Sequence, residues 1–352
     1  MGIHMKISTE YKRVYITIKG NFAILCIVFI TIFFIIDLIL GGILEYYDNF
    51  DSPDIHSLMW KDFYSHAPDT IDVMFLGSSH AKFAFNTEFY NEKLNINTFN
   101  LSSSEQTPLV GYYSLKEALK YQKPELLVYE AYWREFGIND NTTSAYAVYG
   151  YMKGQDSNIT LLASISKDEN FPSFLLQAIC KTYKYREAFF PALKHILKGE
   201  LKKNYTSYHK NQYSDFIYVS DGYNVSDKVV SSEKLFNSNP FKKAGLNFKW
   251  NDIQIRYFKK TMTLCKENNI KVLIVTAPLP KPTMGFVKNY EQYSNKILSI
   301  ANDFGIKYID YNSLDYRDIF EDHFFFDSNH LNSEGTKMIN DLLLPEINSC
   351  LN

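Results

Sequence analysis

The sequence predicts an α/β domain built on a parallel sheet, and three features lead to that expectation. Short, β-branched apolar runs recur along the chain, helical patterns of ordinary length separate them, and the runs lead into polar, turn-forming segments. The runs are Ile71–Leu76 (IDVMFL), Ile96–Asn100 (INTFN), Leu126–Glu130 (LLVYE), Ile270–Val275 (IKVLIV) and Ile306–Tyr311 (IKYIDY). Each has the compact apolar character of a strand buried on both faces. Helices are expected over Thr87–Leu94, Pro108–Tyr121, Asp252–Glu267, Tyr290–Phe304 (stopped by Gly305) and Ser333–Ile347. Strands alternating with helices of this length give a parallel, doubly wound sheet.

The alternation breaks between about Gly137 and Trp250. That stretch is rich in Tyr, Phe, Lys, Asn and Ser, with helical pieces near Phe174–Phe190. It reads either as a cap over the carboxyl edge of the sheet, where open α/β folds bind ligands, or as a peripheral helical decoration.

Composition narrows the function. The 352 residues are 46% apolar and 22% charged, with a formal net charge of −2, so there is no basic footprint for nucleic acid. Tyr and Phe each occur 27 times, an excess that core packing or a sugar-binding surface would explain. The four cysteines, Cys26, Cys180, Cys265 and Cys350, form no C-x-x-C pair and encode neither a zinc knuckle nor a disulfide framework.

Near the N-terminus, Phe22 to Leu44 reads FAILCIVFITIFFIIDLILGGIL, with Asp37 its one charge. As a helix it would be about 34 Å long, enough to cross a hydrocarbon core of roughly 30 Å. A cleaved signal has a shorter apolar region and a small-residue cleavage site. Here the run leads into Glu45-Tyr46-Tyr47-Asp48, which favours an uncleaved anchor. Lys6, Lys12, Arg13 and Lys19 precede the span, while Glu45, Asp48, Asp51 and Asp54 follow it. The positive-inside rule then puts residues 1–21 in the cytoplasm and everything after about 45 outside. Asp37 is costly in lipid, so it either faces a partner helix or lies near the interface; Gly41-Gly42 would permit close helix contact.

Two segments carry chemistry. The first strand runs into Gly77-Ser78-Ser79-His80, where glycine allows a tight turn and a serine opening a helix is exposed at the sheet edge. A bare helix N-cap would look the same. The second segment, Asp327-Ser328-Asn329-His330, precedes the last helix. A serine hydroxyl needs a base, and the base an orienting carboxylate; Asp and His three apart supply both from one loop. Carboxyl ends of parallel strands converge, so the two segments point to one place.

Phe75-Leu76-Gly77-Ser78-Ser79-His80 resembles the first block of the SGNH (GDSL-type) hydrolase superfamily, with G-S-S for G-D-S, and Asp327-Ser328-Asn329-His330 resembles its terminal D-x-x-H block. The resemblance covers roughly residues 65–136 and 250–350. It implies Ser79 as nucleophile, with Ser78 as runner-up, His330 as base and Asp327 as its partner. It also implies an oxyanion hole made by the backbone amides of Ser79 and a residue near Ser104. Asn100-Leu101-Ser102-Ser103-Ser104 lacks the glycine of the second block, and Tyr129-Glu130-Ala131-Tyr132-Trp133-Arg134 lacks the asparagine of the third. Those departures are similar to the membrane-anchored branch that includes the teichoic-acid D-alanyl transfer protein and alginate O-acetylation proteins.

The expected architecture is a flavodoxin-like three-layer α/β/α fold with a five-stranded parallel sheet, a helical insertion and an N-terminal transmembrane helix. The anchor is 22–44, a linker 45–70, the catalytic domain 71–136 with 251–352, and the insertion 137–250. The expected activity is a serine acyltransferase or esterase acting on O-acetyl or D-alanyl esters of cell-envelope glycopolymers, with no cofactor or metal and with a membrane-bound O-acyltransferase as partner. Two other readings stand beside it: a tethered scaffold with a degenerate triad, and a metal-dependent hydrolase using Glu321-Asp322-His323 together with Asp327 and His330. His80 is read as a packing residue, Pro278, Pro280 and Pro282 as a rigid rim loop, and Arg134 as either an anion-binding or a salt-bridging residue.

Overall fold

The structure is a computed structural model that describes residues 2–48, 54–200, 215–244, 248–316 and 318–352. The chain divides into two compact units, residues 1–52 with 172–204, and residues 53–171 with 205–352.

The larger unit holds one five-stranded parallel sheet. Its strands are β1 (Val73–Leu76), β2 (Thr98–Asn100), β3 (Leu126–Glu130), β4 (Lys271–Thr276) and β5 (Lys307–Asp310). Their spatial order is β2-β1-β3-β4-β5, and every pair is parallel. This is the doubly wound order in which the chain reverses direction beside the first strand. The central strands are apolar on both faces: Val73, Phe75, Val128, Leu273 and Val275 are fully buried on one face, and Met74, Leu76, Leu127 and Ile274 on the other. Removing side chains of that kind from water stabilises by about 1.5–3 kcal/mol each. Three of the five expected helices match their sequence signals, at Thr87–Leu94, Asp252–Glu267 and Tyr290–Phe304, and the last runs from Ser333 past Ile347 to Leu351. Gly305 takes φ +67 and ends the third of these, as a left-handed cap does. The Pro108 helix stops at Ala118, and its N-cap Thr107 accepts from Val110 N.

The edge strand β2 is not left bare. A small antiparallel pair, Ile217–Tyr218 with Asn224–Val225, turns at Asp221-Gly222, and Asn100 N donates to Asp221 O at 2.8 Å. Much of the aromatic excess is core packing: Trp133 packs on Phe241 and Phe248, and Phe136 on Trp250, Phe258 and Tyr293.

The smaller unit is built on one continuous helix, Gly2–Asp48, whose stretch from Phe22 to Tyr47 is long and apolar enough to cross a membrane. The flanking charges at Lys6, Lys12, Arg13, Lys19, Asp48 and Asp51 lie outside the described side chains. Asp37 is buried, and its partners come from its own chain. It accepts from Lys181 N and Thr182 N, each at 2.8 Å, and from Cys180 Sγ at 3.0 Å. Gly41 lies against the same turn, where an added Cβ would meet Lys181 Cβ at 2.6 Å; Gly42 has nothing within 4 Å. The sequence leaves Asp37 either facing a partner helix or near the interface; the observed donors come from residues 180–182 of its own chain, as a buried carboxylate requires.

Candidate active site

β1 ends at Leu76, and Gly77 turns the chain at a point where a Cβ would stand 2.8 Å from Glu130 Cβ and 3.0 Å from Ala81 Cβ. Glycine is needed there for close approach of β1 to β3 and to the helix that follows, Ser79–Ala84. Ser78 is the N-cap of that helix. It is buried, and its Oγ accepts from His80 N at 3.3 Å. Ser79 is the first helical residue and is half-buried.

The second segment arrives on a loop closed by the Phe325–Leu331 bridge and by Phe326 N donating to His330 O. Asp327 shapes the turn. Its Oδ1 accepts from Asn329 N at 2.9 Å and His330 N at 2.8 Å, and its Oδ2 lies 2.8 Å from His330 Nδ1. His330 Nε2 lies 2.8 Å from Ser79 Oγ. Residues 251 positions apart thus form one hydrogen-bonded chain, Ser79–His330–Asp327. Burial works against the Asp327 charge, but hydrogen bonds and charge attraction from His330, with the two amides, hold its carboxyl below the ordinary value.

Aromatic rings fix the histidine. Phe326 stacks on it at 5.5 Å, Phe83 lies at 5.0 Å and His80 at 5.3 Å. His80 is buried and stacked on Tyr132 at 3.7 Å, the packing role expected of it. Burial first, then the charges of His330 and Arg134, push the His80 ring well below the usual imidazole range, so it remains neutral beside His330. These flanking aromatic residues carry no sequence signal of their own, because their positions look like ordinary core.

The segment after β2 is stitched to the first turn. Leu101 N donates to Phe75 O at 2.8 Å and Ser103 N to Gly77 O at 3.3 Å, which sets the half-buried Ser104 in the turn alongside. Asn100 is fully buried, its amide donating to Ala81 O and Phe85 O, so it braces the serine-bearing helix. At the end of β3, Glu130 is buried, and burial pushes its carboxyl well above the ordinary carboxylate value. Arg134 pairs with Glu105 at 3.2 Å, both partly exposed. Next to them a cavity of about 420 Å³ opens, lined by Glu105, Thr107, Arg134, Glu135 and Asp140 among others. Burial pushes Glu135 up to about 7. Asn312, buried, accepts from Leu279 N and donates to Ala277 O, tying down the proline loop after β4. In the former metal candidate, Glu321 and His323 are exposed and pair with each other at 3.4 Å. No cluster of three metal-ligating side chains occurs among the described residues.

The fold and site define a doubly wound α/β domain with a hydrogen-bonded serine, histidine and aspartate at the carboxyl edge of its sheet. The chain belongs to the family described as a protein of unknown function (DUF1574), which matches residues 23–347. Comparison with curated proteins finds no match. Among solved structures, a candidate acylhydrolase from Bacteroides fragilis NCTC 9343 is similar at 12% identity and TM-score 0.41, over 83% of this chain and 94% of that one. A GDSL-like lipase from Bacteroides thetaiotaomicron VPI-5482 is similar at 11% identity and TM-score 0.41, over 84% of this chain and 98% of that one.

Proposed function

We propose that this protein is a membrane-anchored, extracytoplasmic serine esterase or acyltransferase of the SGNH type, working through an acyl-Ser79 intermediate on esters of cell-envelope glycopolymers. The observation that carries the reading is the 2.8 Å contact of His330 Nε2 with Ser79 Oγ, continued by the 2.8 Å contact of Nδ1 with Asp327. His330 accepts the Ser79 proton at Nε2 as Oγ attacks the ester carbonyl. The imidazolium, held by Asp327, then gives that proton to the leaving alcohol oxygen, and the acyl group remains on Ser79. A second alcohol or water, deprotonated by the same nitrogen, releases the acyl group.

Two backbone amides, those of Ser79 and Ser104, are the proposed donors to the oxyanion. Glu130 closes the third strand, after which the superfamily carries a donor asparagine, and burial pushes its carboxyl above the ordinary value. Which acceptor resolves the intermediate depends on what is positioned beside it. The cavity at Arg134 and Glu135 is the proposed acceptor site, with Arg134 exchanging Glu105 for an anionic polymer group.

Purified enzyme with p-nitrophenyl acetate tests the chemistry: turnover by the wild type and its loss in Ser79→Ala supports the reading. A deletion strain tests the direction. Envelope polymers that lose ester substituents indicate transfer, and polymers that gain them indicate hydrolysis. A scaffold is the correct reading if neither the ester assay nor the polymers respond to Ser79→Ala.

A further inference from the structure

The smaller unit contains, besides the long helix, a run of short helices within residues 172–200. Lys181 N and Thr182 N bond Asp37, which lies seven residues inside the apolar run from Leu44, or about 10 Å along a helix axis. The turn at residues 180–182 is therefore at the depth of Asp37. The contacts continue toward the end of the run: Tyr185 hydroxyl donates to Glu45 at 2.9 Å, Lys181 pairs with Glu45, and Tyr47 stacks on His195 at 5.8 Å.

The helix Phe189–Leu197 is turned inside out for a segment in water. Its small residue Ala192, with Ala188 just before it, is buried against Leu44. Its large apolar residues face away: Phe190 is 77% exposed and Leu197 78%, the two most exposed large apolar side chains among the described residues, with Leu193 on the same face. Ile179, in the helix before Cys180, is exposed as well. Cationic side chains at Lys184, Arg186, Lys194 and Lys198 alternate with these, as in segments lying at a lipid surface with cations reaching the headgroups.

We infer that residues 172–200 are part of the membrane anchor, with the outward face of the Phe189–Leu197 helix covered by lipid acyl chains of the leaflet at the Leu44 end of the span. This rests on the reading of Phe22–Tyr47 as a retained span. Lipid is the occupant because the surface adjoins the outer end of the apolar span, beside Leu44 and Tyr47, while residues 180–182 reach in to Asp37. Backbone outside a long helix is tolerated at that depth only where protein groups satisfy it, and Asp37 satisfies two of its amides. A charged residue inside the span is thereby used as a docking point for the chain's own second segment.

The full chain in phosphatidylethanolamine/phosphatidylglycerol vesicles, with Phe190→p-benzoylphenylalanine, tests the inference by ultraviolet crosslinking and intact mass. The same replacement at Leu197 guards against a local folding defect. Ile30 in the span and Leu314 in the catalytic unit are the references. The expected result is a lipid-mass adduct at position 190 or 197 within about threefold of the yield at 30, and at least about tenfold above that at 314. Adducts at 30 with only the position-314 level at both 190 and 197 overturn the inference, as does a chain-to-chain product at 190. Failure at 30 as well overturns the anchor reading itself, together with the inference.

Discussion

Ser78 Oγ takes a hydrogen bond from His80 N and is buried, whereas Ser79 Oγ is met by His330 Nε2. Adjacent serines are thus divided between capping and the hydrogen-bonded chain. Ser78→Ala is expected to cost about 1 kcal/mol as a lost cap and to leave ester turnover within a few-fold of wild type. Ser79→Ala and His330→Ala are expected to lower turnover of p-nitrophenyl acetate by about 10³-fold or more with the circular dichroism melt unchanged. Asp327→Asn should fall between, since the imidazole remains near the serine. Glu135 gives a pH signature. Its carboxyl, ordinarily 4.5, is pushed up to about 7 by burial, against the attraction of Arg134. The charged form is disfavoured in the folded state, so the contribution of Glu135 to stability is full below about 4.5. It declines as pH rises toward 7 and changes no further above that. Glu135→Gln should remove that slope between pH 4.5 and 7 in denaturant melts; an unchanged slope would assign it to other groups.

At the scale of elements, strand and helix positions were legible because burial on both faces and helix caps leave local marks. The serine and the D-x-x-H segment were legible through their resemblance to two sequence blocks, one where β1 turns into a helix and the other in the loop before the last helix. Three things were not. The strands are shorter at their ends than the apolar runs, because Ile71 and Asp72 come before the β1 ladder begins. The Asp221-Gly222 turn that covers β2 has no periodic signature. The donors to Asp37 lie more than 140 residues away, and no local pattern encodes a contact of that kind. Each yields a test. Gly222 has φ +83, and a Cβ there would stand 1.8 Å from Asn100 O, so Gly222→Ala must displace backbone. A loss of about 1–3 kcal/mol is expected in urea unfolding. Asp37→Leu leaves the Lys181 and Thr182 amides without their acceptor, at about 1–3 kcal/mol. Trypsin should then cut within residues 181–198 several-fold faster than in the wild type, in membranes, at equal rates elsewhere.

For the whole molecule, the proposed anchor and the proposed esterase unit together set the expected geometry of action. On that proposal, a tethered enzyme would meet membrane-bound donors at a raised effective concentration, which would suit transfer between envelope components. Protease added to spheroplasts should digest the chain beyond about residue 45, outside the lipid-covered 172–200 segment, and spare its N-terminal region, and a reporter active only in the cytoplasm should be silent when fused at Asn352. The central claim, a nucleophilic Ser79 activated through His330, is tested most directly by a fluorophosphonate probe followed by peptide mass spectrometry on the full chain. The account predicts one phosphonyl adduct, on Ser79, absent from His330→Ala. An adduct on Ser78, or no adduct on a folded protein that still turns over p-nitrophenyl acetate, would contradict it.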